Sequence, residues 1–144
     1  MSAAEERPIV ASRERLASLA SAFRYPEDPE LQAVYTTTFD LGPSCSPYLG
    51  VHLFSEEGRD RARLMVGLKL AYRRGGKLPS AELPDHISEV LAFAPHFGDE
   101  EWADLVRLVL IPALTKMNDI LGPTSNPYRL AVAAAAALCR GGNS

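Results

Sequence analysis

The residues best suited to chemistry lie in the stretch ELPDHISEVLAF, where Asp85 and His86 are adjacent. An acid beside an imidazole is a candidate acid–base pair or part of a metal site. Neighbouring side chains on a helix point about 100° apart, so these two would not form a relay on one face. No GxSxG or similar motif surrounds the nucleophile candidates Ser44, Cys45 and Ser46. The sequence therefore predicts that the protein is not an enzyme.

A structural role is the alternative for Asp85 and His86. A helix that begins near Pro84 would use the Asp85 carboxylate to satisfy its N-terminal N–H groups, with His86 half buried beside it. Judged on the residues alone, this role is favoured over catalysis.

Metal and cofactor patterns are not found in the sequence. The histidines at 52, 86 and 96 share no HxxxH or HExxH spacing, and Cys45 and Cys139 are far apart. The glycine pairs belong to neither GxxxxGK nor GxGxxG, the patterns that cradle phosphates. We expect no bound metal, no cofactor and no disulfide.

Composition limits the function classes further. The chain has 144 residues, of which 47% are hydrophobic and 23% charged, which is typical of one globular domain over 1–144. We expect the ends, 1–11 and 141–144, to be flexible.

The net charge of -3 gives no basic field for nucleic acid. No apolar run approaches the roughly 18 to 20 residues that span a bilayer, and no secretory signal is visible, so we predict a cytoplasmic protein without membrane insertion.

Apolar spacing predicts an all-α bundle of about six helices. The second of these helices should bury Leu31, Val34, Tyr35 and Phe39 on one face. Pro112 predicts a kink in the fifth helix, and segment 44–54 has no clean period, so a buried loop and a short extended piece both remain open. The predicted helices begin or are capped at Ser12, Asp28, Glu56, Pro84, Asp99 and Asn126, and they end near Phe23, Gly42, Gly75, Ala94, Gly122 and Gly141.

Seven of the 15 lysines and arginines form one cluster on and just beyond the third predicted helix. Glu56, Glu57 and Asp60 are interleaved at its start, which favours a solvated helix face over a nucleic-acid stripe. The basic residues are Arg59, Arg61, Arg63, Lys69, Arg73, Arg74 and Lys77.

Three stretches together resemble a known family. YTTTFDLG, then SPYLGVHLF with GRDRARLMVGLKLAYRRGG, then ELPDHISEVLAF are similar to the delta-type chaperones of respiratory nitrate reductase and related molybdenum enzymes, the NarJ branch of the TorD/DmsD redox-enzyme maturation proteins. The resemblance covers roughly residues 16–139. The chain departs from the family at Gly50 and Val51, where members carry aromatic and acidic residues. The matching positions are Tyr35, Thr38, Phe39, Asp40, Ser46, Tyr48, Leu49, Arg59, Arg61, Leu83, Pro84, Asp85, His86 and Ile87.

The resemblance implies a chaperone that binds the N-terminal segment of an apo catalytic subunit, often a twin-arginine signal or its remnant, until the molybdenum cofactor is inserted. The peptide would lay an apolar face in a groove, and its arginines would need carboxylates. We expect Asp40 and Asp85 to supply these, and His86 to add sensitivity near neutral pH. The expected peptide-binding residues are Tyr35, Phe39, Asp40, Tyr48, Leu49, Asp85 and His86.

Several alternatives remain open at this stage. The expected partner is the catalytic subunit of a nitrate reductase-type enzyme, and the alternative is a related oxyanion reductase, dimethyl sulfide dehydrogenase or hydrocarbon dehydrogenase. We expect a monomer, with a dimer as the alternative. Two other function classes are a small hydrolase that uses His52 or His86 and a nucleic-acid adaptor that uses the basic helix.

Overall fold

Short helices joined by tight turns make up the chain in the computed structural model, which describes residues 12–40, 45–55, 57–122 and 125–141. The described residues contain no strand, only an isolated antiparallel bridge between Tyr48 and His86. The all-α prediction is confirmed. No described helix is long and apolar enough to cross a bilayer. The α-helices are α1 (12–19), α2 (Pro29–Tyr35), α3 (Asp60–Arg74), α4 (Ile87–Ala92), α5 (Asp99–Leu105), α6 (Ile111–Leu121) and α7 (Tyr128–Cys139).

Two of the predicted helix starts are confirmed by their hydrogen bonds. The Asp28 carboxylate accepts from the N–H of Glu30 at 2.9 Å, with Pro29 in the first turn of α2. At the start of α7 the residue directly before the helix is Pro127, which is already helical in φ and ψ, and the Asn126 side chain one residue earlier accepts from the N–H of Tyr128 at 2.9 Å. Both bonds satisfy donors that have no partner within the helix.

Four other predicted starts are wrong. Ser12 is already helical, so it does not cap α1. Residues 57–59 are not helical, and α3 begins at Asp60; Glu56 lies outside the described residues. The N-cap of α5 is Gly98, whose N–H donates to Glu101 at 3.0 Å, while Asp99 instead accepts from Arg13.

The start of α4 is the fourth correction. This helix begins at Ile87, and its N-cap is His86 rather than Asp85. The carbonyl of Pro84 accepts from the hydroxyl of Tyr72 at 2.7 Å, and the carbonyl of Asp85 accepts from Leu49 at 2.9 Å. Because these carbonyls accept from partners elsewhere in the fold, Pro84 and Asp85 form a turn, closed by the bond from the N–H of His86 to the carbonyl of Leu83 at 3.1 Å, and the helix does not begin before Ile87.

Helix ends agree better with the predictions. Gly75 ends α3 and Gly122 ends α6, and Gly141 follows α7 with a left-handed φ of 105°. The helix α4 ends at Ala92, and the short 3₁₀ turn Ala94–His96 follows it. The predicted end of α2, Gly42 and Pro43, lies outside the described residues.

Two π turns interrupt the helices. The turn Thr36–Asp40 extends α2 through the run of threonines, which are mediocre helix formers. The turn Val106–Leu110 joins α5 to α6, where the N–H of Ile111 donates to the carbonyl of Val106, five residues back. Pro112 has no N–H to give to the carbonyl of Leu108, so regular bonding cannot continue there. The irregularity expected at Pro112 thus takes the form of a π turn just before it.

The core lies around α4, whose apolar residues Ile87, Val90 and Leu91 are fully buried. This helix packs on the 3₁₀ turn Ala20–Phe23, which continues α1. The two last helices, α6 and α7, pack on each other, and the small residue Ala135 of α7 is fully buried. Tyr35 and Phe39 are buried as predicted, but Leu31 is 44% exposed and the prediction for it is wrong.

Two glycines near α3 should respond oppositely to replacement by alanine. A Cβ at Gly75 would collide with the ring of Phe93, whereas a Cβ at Gly67 would meet nothing within 4 Å. We expect Gly75→Ala to lower the free energy of unfolding by about 1–3 kcal/mol through overpacking. Gly67→Ala should raise it by about 0.5–1 kcal/mol because alanine favours a helix interior. Urea unfolding of both variants measures the difference, and equal effects at the two positions would contradict the packing described.

Candidate functional site

Two segments from different motifs run side by side at the centre of the site. The N–H of Leu49 donates to the carbonyl of Asp85 at 2.9 Å, and the N–H of Ile87 donates to the carbonyl of Pro47 at 2.8 Å. Together with the bridge between 48 and 86, these bonds align 47–49 antiparallel to 85–87. A 3₁₀ turn, Leu49–His52, follows. Segment 45–54 is therefore a short extended piece that leads into a turn, which resolves the alternatives left open by the sequence.

The Asp85 carboxylate joins this pair of segments to α3. It is fully buried, and its Oδ2 accepts from the N–H of Gly50 at 3.0 Å and from Nε of Arg61 at 2.9 Å. Its Oδ1 accepts from Nη2 of Arg61 at 3.1 Å, so the guanidinium binds the carboxylate through two parallel bonds. The hydrogen bond to Asp85 raises the pKa of Arg61. Asp85 therefore has no exposed carboxylate to offer a ligand in this structure.

Gly50 lies against the ion pair, which leaves no room for a side chain at this position. A Cβ at Gly50 would lie 2.7 Å from Oδ2 of Asp85 and 2.8 Å from Cγ of Arg61. A side chain would therefore displace the ion pair. The backbone N–H of Gly50 can reach the buried carboxylate because glycine occupies this position.

His86 is buried, 3% exposed, and acts as a helix cap. Its Nδ1 accepts from the N–H of Ser88 at 3.1 Å, so the neutral ring carries its proton on Nε2. That nitrogen faces the Tyr35 hydroxyl at 3.4 Å and Oε2 of Glu82 at 3.3 Å. Burial lowers the pKa of His86, although nearby acids, Glu82 first, act in the opposite direction.

Possible nucleophiles near the histidines do not form a catalytic pair. The Ser88 hydroxyl lies 2.9 Å from Nδ1 of His86, but both residues are buried and the same nitrogen already accepts the Ser88 backbone N–H. His52 contacts the carbonyl of Ser46, not its hydroxyl, at 2.8 Å. Among the described residues, no group of three or more histidines, cysteines and acids could hold a metal ion.

Most of the expected groove residues are interior. Tyr35, Phe39 and Leu49 are at most 5% exposed, and Tyr35 packs its ring 4.8 Å from that of Phe39. The ring of Tyr128 lies against both at 5.9 and 4.8 Å. Burial and the charge of Asp40 raise the pKa of Tyr35. These residues support the site from beneath and do not line an open groove in this structure.

The exposed surface above them is acidic and aromatic. Asp40 and Glu82 are exposed, Tyr48 is half buried, and Tyr25 is 57% exposed with its ring 5.4 Å from that of Tyr35. We refer to Tyr25, Asp40, Tyr48 and Glu82 as the acidic rim. Within it, the Tyr48 hydroxyl donates to Glu82 at 2.9 Å, and burial with this bond raises the pKa of Tyr48 to about 12.

The structure brings the seven predicted site residues together, with Tyr35, Phe39, Leu49, Asp85 and His86 buried. Direct contacts link all of them except Asp40, whose charge is close enough to raise the pKa of both Tyr35 and Tyr48. Sequence reasoning missed Glu82, although its place four residues before His86 in the ELPDHI motif was a usable signal. It also missed Tyr25, which lies in the RYPEDP stretch that ends the first helix.

The basic helix is only partly the solvated face that was predicted. Arg63 is 78% exposed in its side chain and pairs weakly with Asp60 at 3.6 Å. Arg61, in contrast, binds Asp85. Lys77, which lies beyond the end of α3, pairs with Glu89 at 3.1 Å, with both side chains mostly buried. The positive charges of this helix therefore do not form an uninterrupted stripe.

Comparison with known proteins adds independent information. The family model described as nitrate reductase delta subunit matches residues 8–122. The nitrate reductase molybdenum cofactor assembly chaperone NarJ of Escherichia coli K12 is 38% identical over 76 residues, which are 51% of this chain and 32% of that protein. NarJ of Escherichia coli O157:H7 matches to the same extent. The chain thus aligns with about a third of the length of these relatives. No solved structure matches.

Replacement of Asp85 should separate a buried ion pair from a helix cap. Asp85→Ala leaves the Arg61 guanidinium and the Gly50 N–H without their partner. We expect it to cost about 3 kcal/mol of stability, the low end for a broken buried pair, because Arg61 is partly exposed. Asp28→Ala removes a true cap and should cost about 1 kcal/mol. Chemical denaturation of both variants is the measurement, and a loss at Asp85 no larger than at Asp28 would contradict the ion-pair role.

The protonation of His86 should make stability depend on pH. Its pKa is lowered in the folded state from an ordinary value of about 6.5, so the unfolded chain binds the proton more readily. The stabilisation is therefore present above about pH 6.5 and is lost as the pH falls towards the lower folded value. His86→Asn keeps a capping oxygen but does not titrate. We expect thermal unfolding of this variant to vary less between pH 7 and 5 than that of the parent; identical pH profiles would refute the assignment.

Proposed function

Since the chain belongs to the nitrate reductase delta subunit family, whose model matches residues 8–122, we propose that it is a cytoplasmic chaperone for the assembly of a molybdenum enzyme. The relatives named above are molybdenum cofactor assembly chaperones of nitrate reductase. The proposed partner is the apo catalytic subunit of a nitrate reductase-type enzyme. The chaperone binds this subunit and carries out no bond chemistry itself.

The acidic rim is the observation that best supports a peptide-binding role. The negative charge of Asp85 is matched internally by Arg61, whereas Asp40 and Glu82 face solvent within the same site. A positively charged segment would therefore find its carboxylates at Asp40 and Glu82. Bonds between an arginine and a carboxylate are charge-assisted and among the stronger hydrogen bonds in proteins.

The aromatic residues of the rim suit the same ligand. Tyr25 is more than half exposed, and one face of Tyr48 already packs against a cation, with the Arg61 guanidinium 5.7 Å from its ring centroid. Tyrosine rings attract both apolar side chains and guanidinium groups. We propose that the ligand is the N-terminal segment of the catalytic subunit, a twin-arginine signal or its remnant, with its arginines on the acids and its apolar residues on the rings.

Peptide affinity tests this proposal. A labelled peptide with the N-terminal sequence of the catalytic subunit of a molybdenum nitrate reductase is titrated with the parent, Asp40→Asn and Glu82→Gln. Each variant should weaken binding about tenfold or more, since a charge-assisted hydrogen bond contributes roughly 1.5–3 kcal/mol. Replacing the peptide arginines by glutamine should remove most of the difference between parent and variants.

The matched control is Glu100→Gln, which changes the charge equally at an exposed acid of α5 outside the rim. It should leave affinity unchanged, and melting temperatures should show that all three variants are folded. The absence of binding by the parent, or an equal loss in the control, would refute the proposal.

A further inference from the structure

The outward-facing side of α3 carries a straight line of exposed residues. Their spacing along the chain is four, three, four and three positions, which places them on one face of a helix. The first of them comes directly before the helix, with a backbone that is already close to helical. We refer to these five residues as the outer line of α3. They are Arg59, Arg63, Val66, Leu70 and Arg73, and all are exposed.

The middle of the outer line is apolar. Val66 is 58% exposed and Leu70, one turn further on, is 52% exposed. The buried residues of the same helix, Leu68, Ala71 and Tyr72, lie on its other side and belong to the core. The helix therefore carries apolar side chains on two faces. Within the described residues, the chain covers only one of these faces.

The two ends of the outer line carry unpaired positive charges. No side chain among the described residues bonds to the guanidinium of Arg59 or of Arg73. Arg63 contacts Asp60 only at 3.6 Å, and both side chains are mostly exposed, so this pair contributes little. The outer line itself contains no acid, although the whole chain has a net charge of -3. It is thus a positive face, interrupted only by its two apolar residues.

This combination suits the surface of an anionic bilayer. Helices that lie on a membrane place apolar side chains at the boundary of the acyl chains, while lysines and arginines extend to the phosphates of the headgroups. A nucleic acid offers phosphates as well, but its backbone gives Val66 and Leu70 no apolar surface to contact. The outer line also has no aromatic ring that could stack on a base. Charge and apolar contact together therefore favour lipid over nucleic acid.

We propose that the outer line of α3 binds the surface of an anionic membrane, with Val66 and Leu70 at the acyl boundary and the three arginines on lipid phosphates. Such contact is peripheral and needs no helix that spans the bilayer. A cation near an anionic leaflet strengthens binding by about fivefold, and this effect falls as ionic strength rises. No residue of the acidic rim lies on α3, so membrane contact and peptide binding use separate surfaces.

Cosedimentation of the full chain with lipid vesicles tests the charged part of this contact. The parent should bind vesicles of phosphatidylglycerol mixed with phosphatidylcholine, but not vesicles of phosphatidylcholine alone, and high salt should weaken the binding. Arg59→Gln combined with Arg73→Gln should weaken it about tenfold or more. The matched control combines Arg15→Gln and Arg129→Gln, an equal loss of charge at exposed positions of α1 and α7. It should bind like the parent.

The apolar part of the contact is tested by a second pair of variants. Leu70→Gln should weaken binding to the anionic vesicles by about fivefold, because the leucine is no longer there to leave water. Leu130→Gln changes a leucine of α7 that is 70% exposed and should have no such effect. All substituted positions are exposed, and melting temperatures show whether each variant is folded.

Three results would overturn the proposal. The first is a parent that does not bind anionic vesicles or binds neutral ones equally well. The second is an equal loss of binding in the control variants. The third is tighter binding to duplex DNA or to polyglutamate than to the vesicles at equal concentrations of charge, which would assign the outer line to a nucleic acid or an acidic protein. Each of these results leaves the proposed function standing, since the N-terminal peptide is measured separately.

Discussion

A buried carboxylate, that of Asp85, joins three parts of the chain that are distant in sequence. It accepts the backbone N–H of Gly50 and two bonds from Arg61, which lie 35 and 24 residues earlier. Taking a charge out of water costs several kcal/mol, and only a partner with good geometry offsets that cost. The ion pair therefore contributes less to net stability than to fixing one arrangement of these segments. Loss of either partner leaves the other charge buried without a counter-charge, which destabilises the fold.

This arrangement decides which charges the surface presents. The charge of Asp85 is paired with Arg61 inside the protein. His86 is held neutral by burial and by its role as a helix cap. Asp40 and Glu82 remain as the acids that face solvent around the same residues. The buried ion pair thus makes the site rigid, and the acidic rim gives it a negative charge. The proposed binding of an arginine-bearing peptide would benefit from both, because a rigid surface loses less entropy on binding.

Much of the fold could be predicted from local sequence. Apolar spacing located the helices, and side chains that cap within two residues, such as Asp28 and Asn126, were read correctly. The predicted helix cap at Asp85 was wrong. An acid after Pro84 is typical of a helix start, but the actual partners of Asp85 are remote in sequence. The motifs that resemble the family predicted which residues meet in the site. They could not predict that Leu49 would be buried, since burial in this irregular segment depends on tertiary packing.

The central claim is that the acidic rim, positioned by the Asp85 ion pair, receives the leading segment of a client enzyme. Amide NMR of the labelled chain, titrated with the N-terminal peptide of the catalytic subunit of a molybdenum nitrate reductase, tests this claim most directly. The account predicts that the largest shift changes cluster at residues next to Tyr25, Asp40, Tyr48 and Glu82. Shift changes confined to other parts of the chain, or none at saturating peptide, would contradict it.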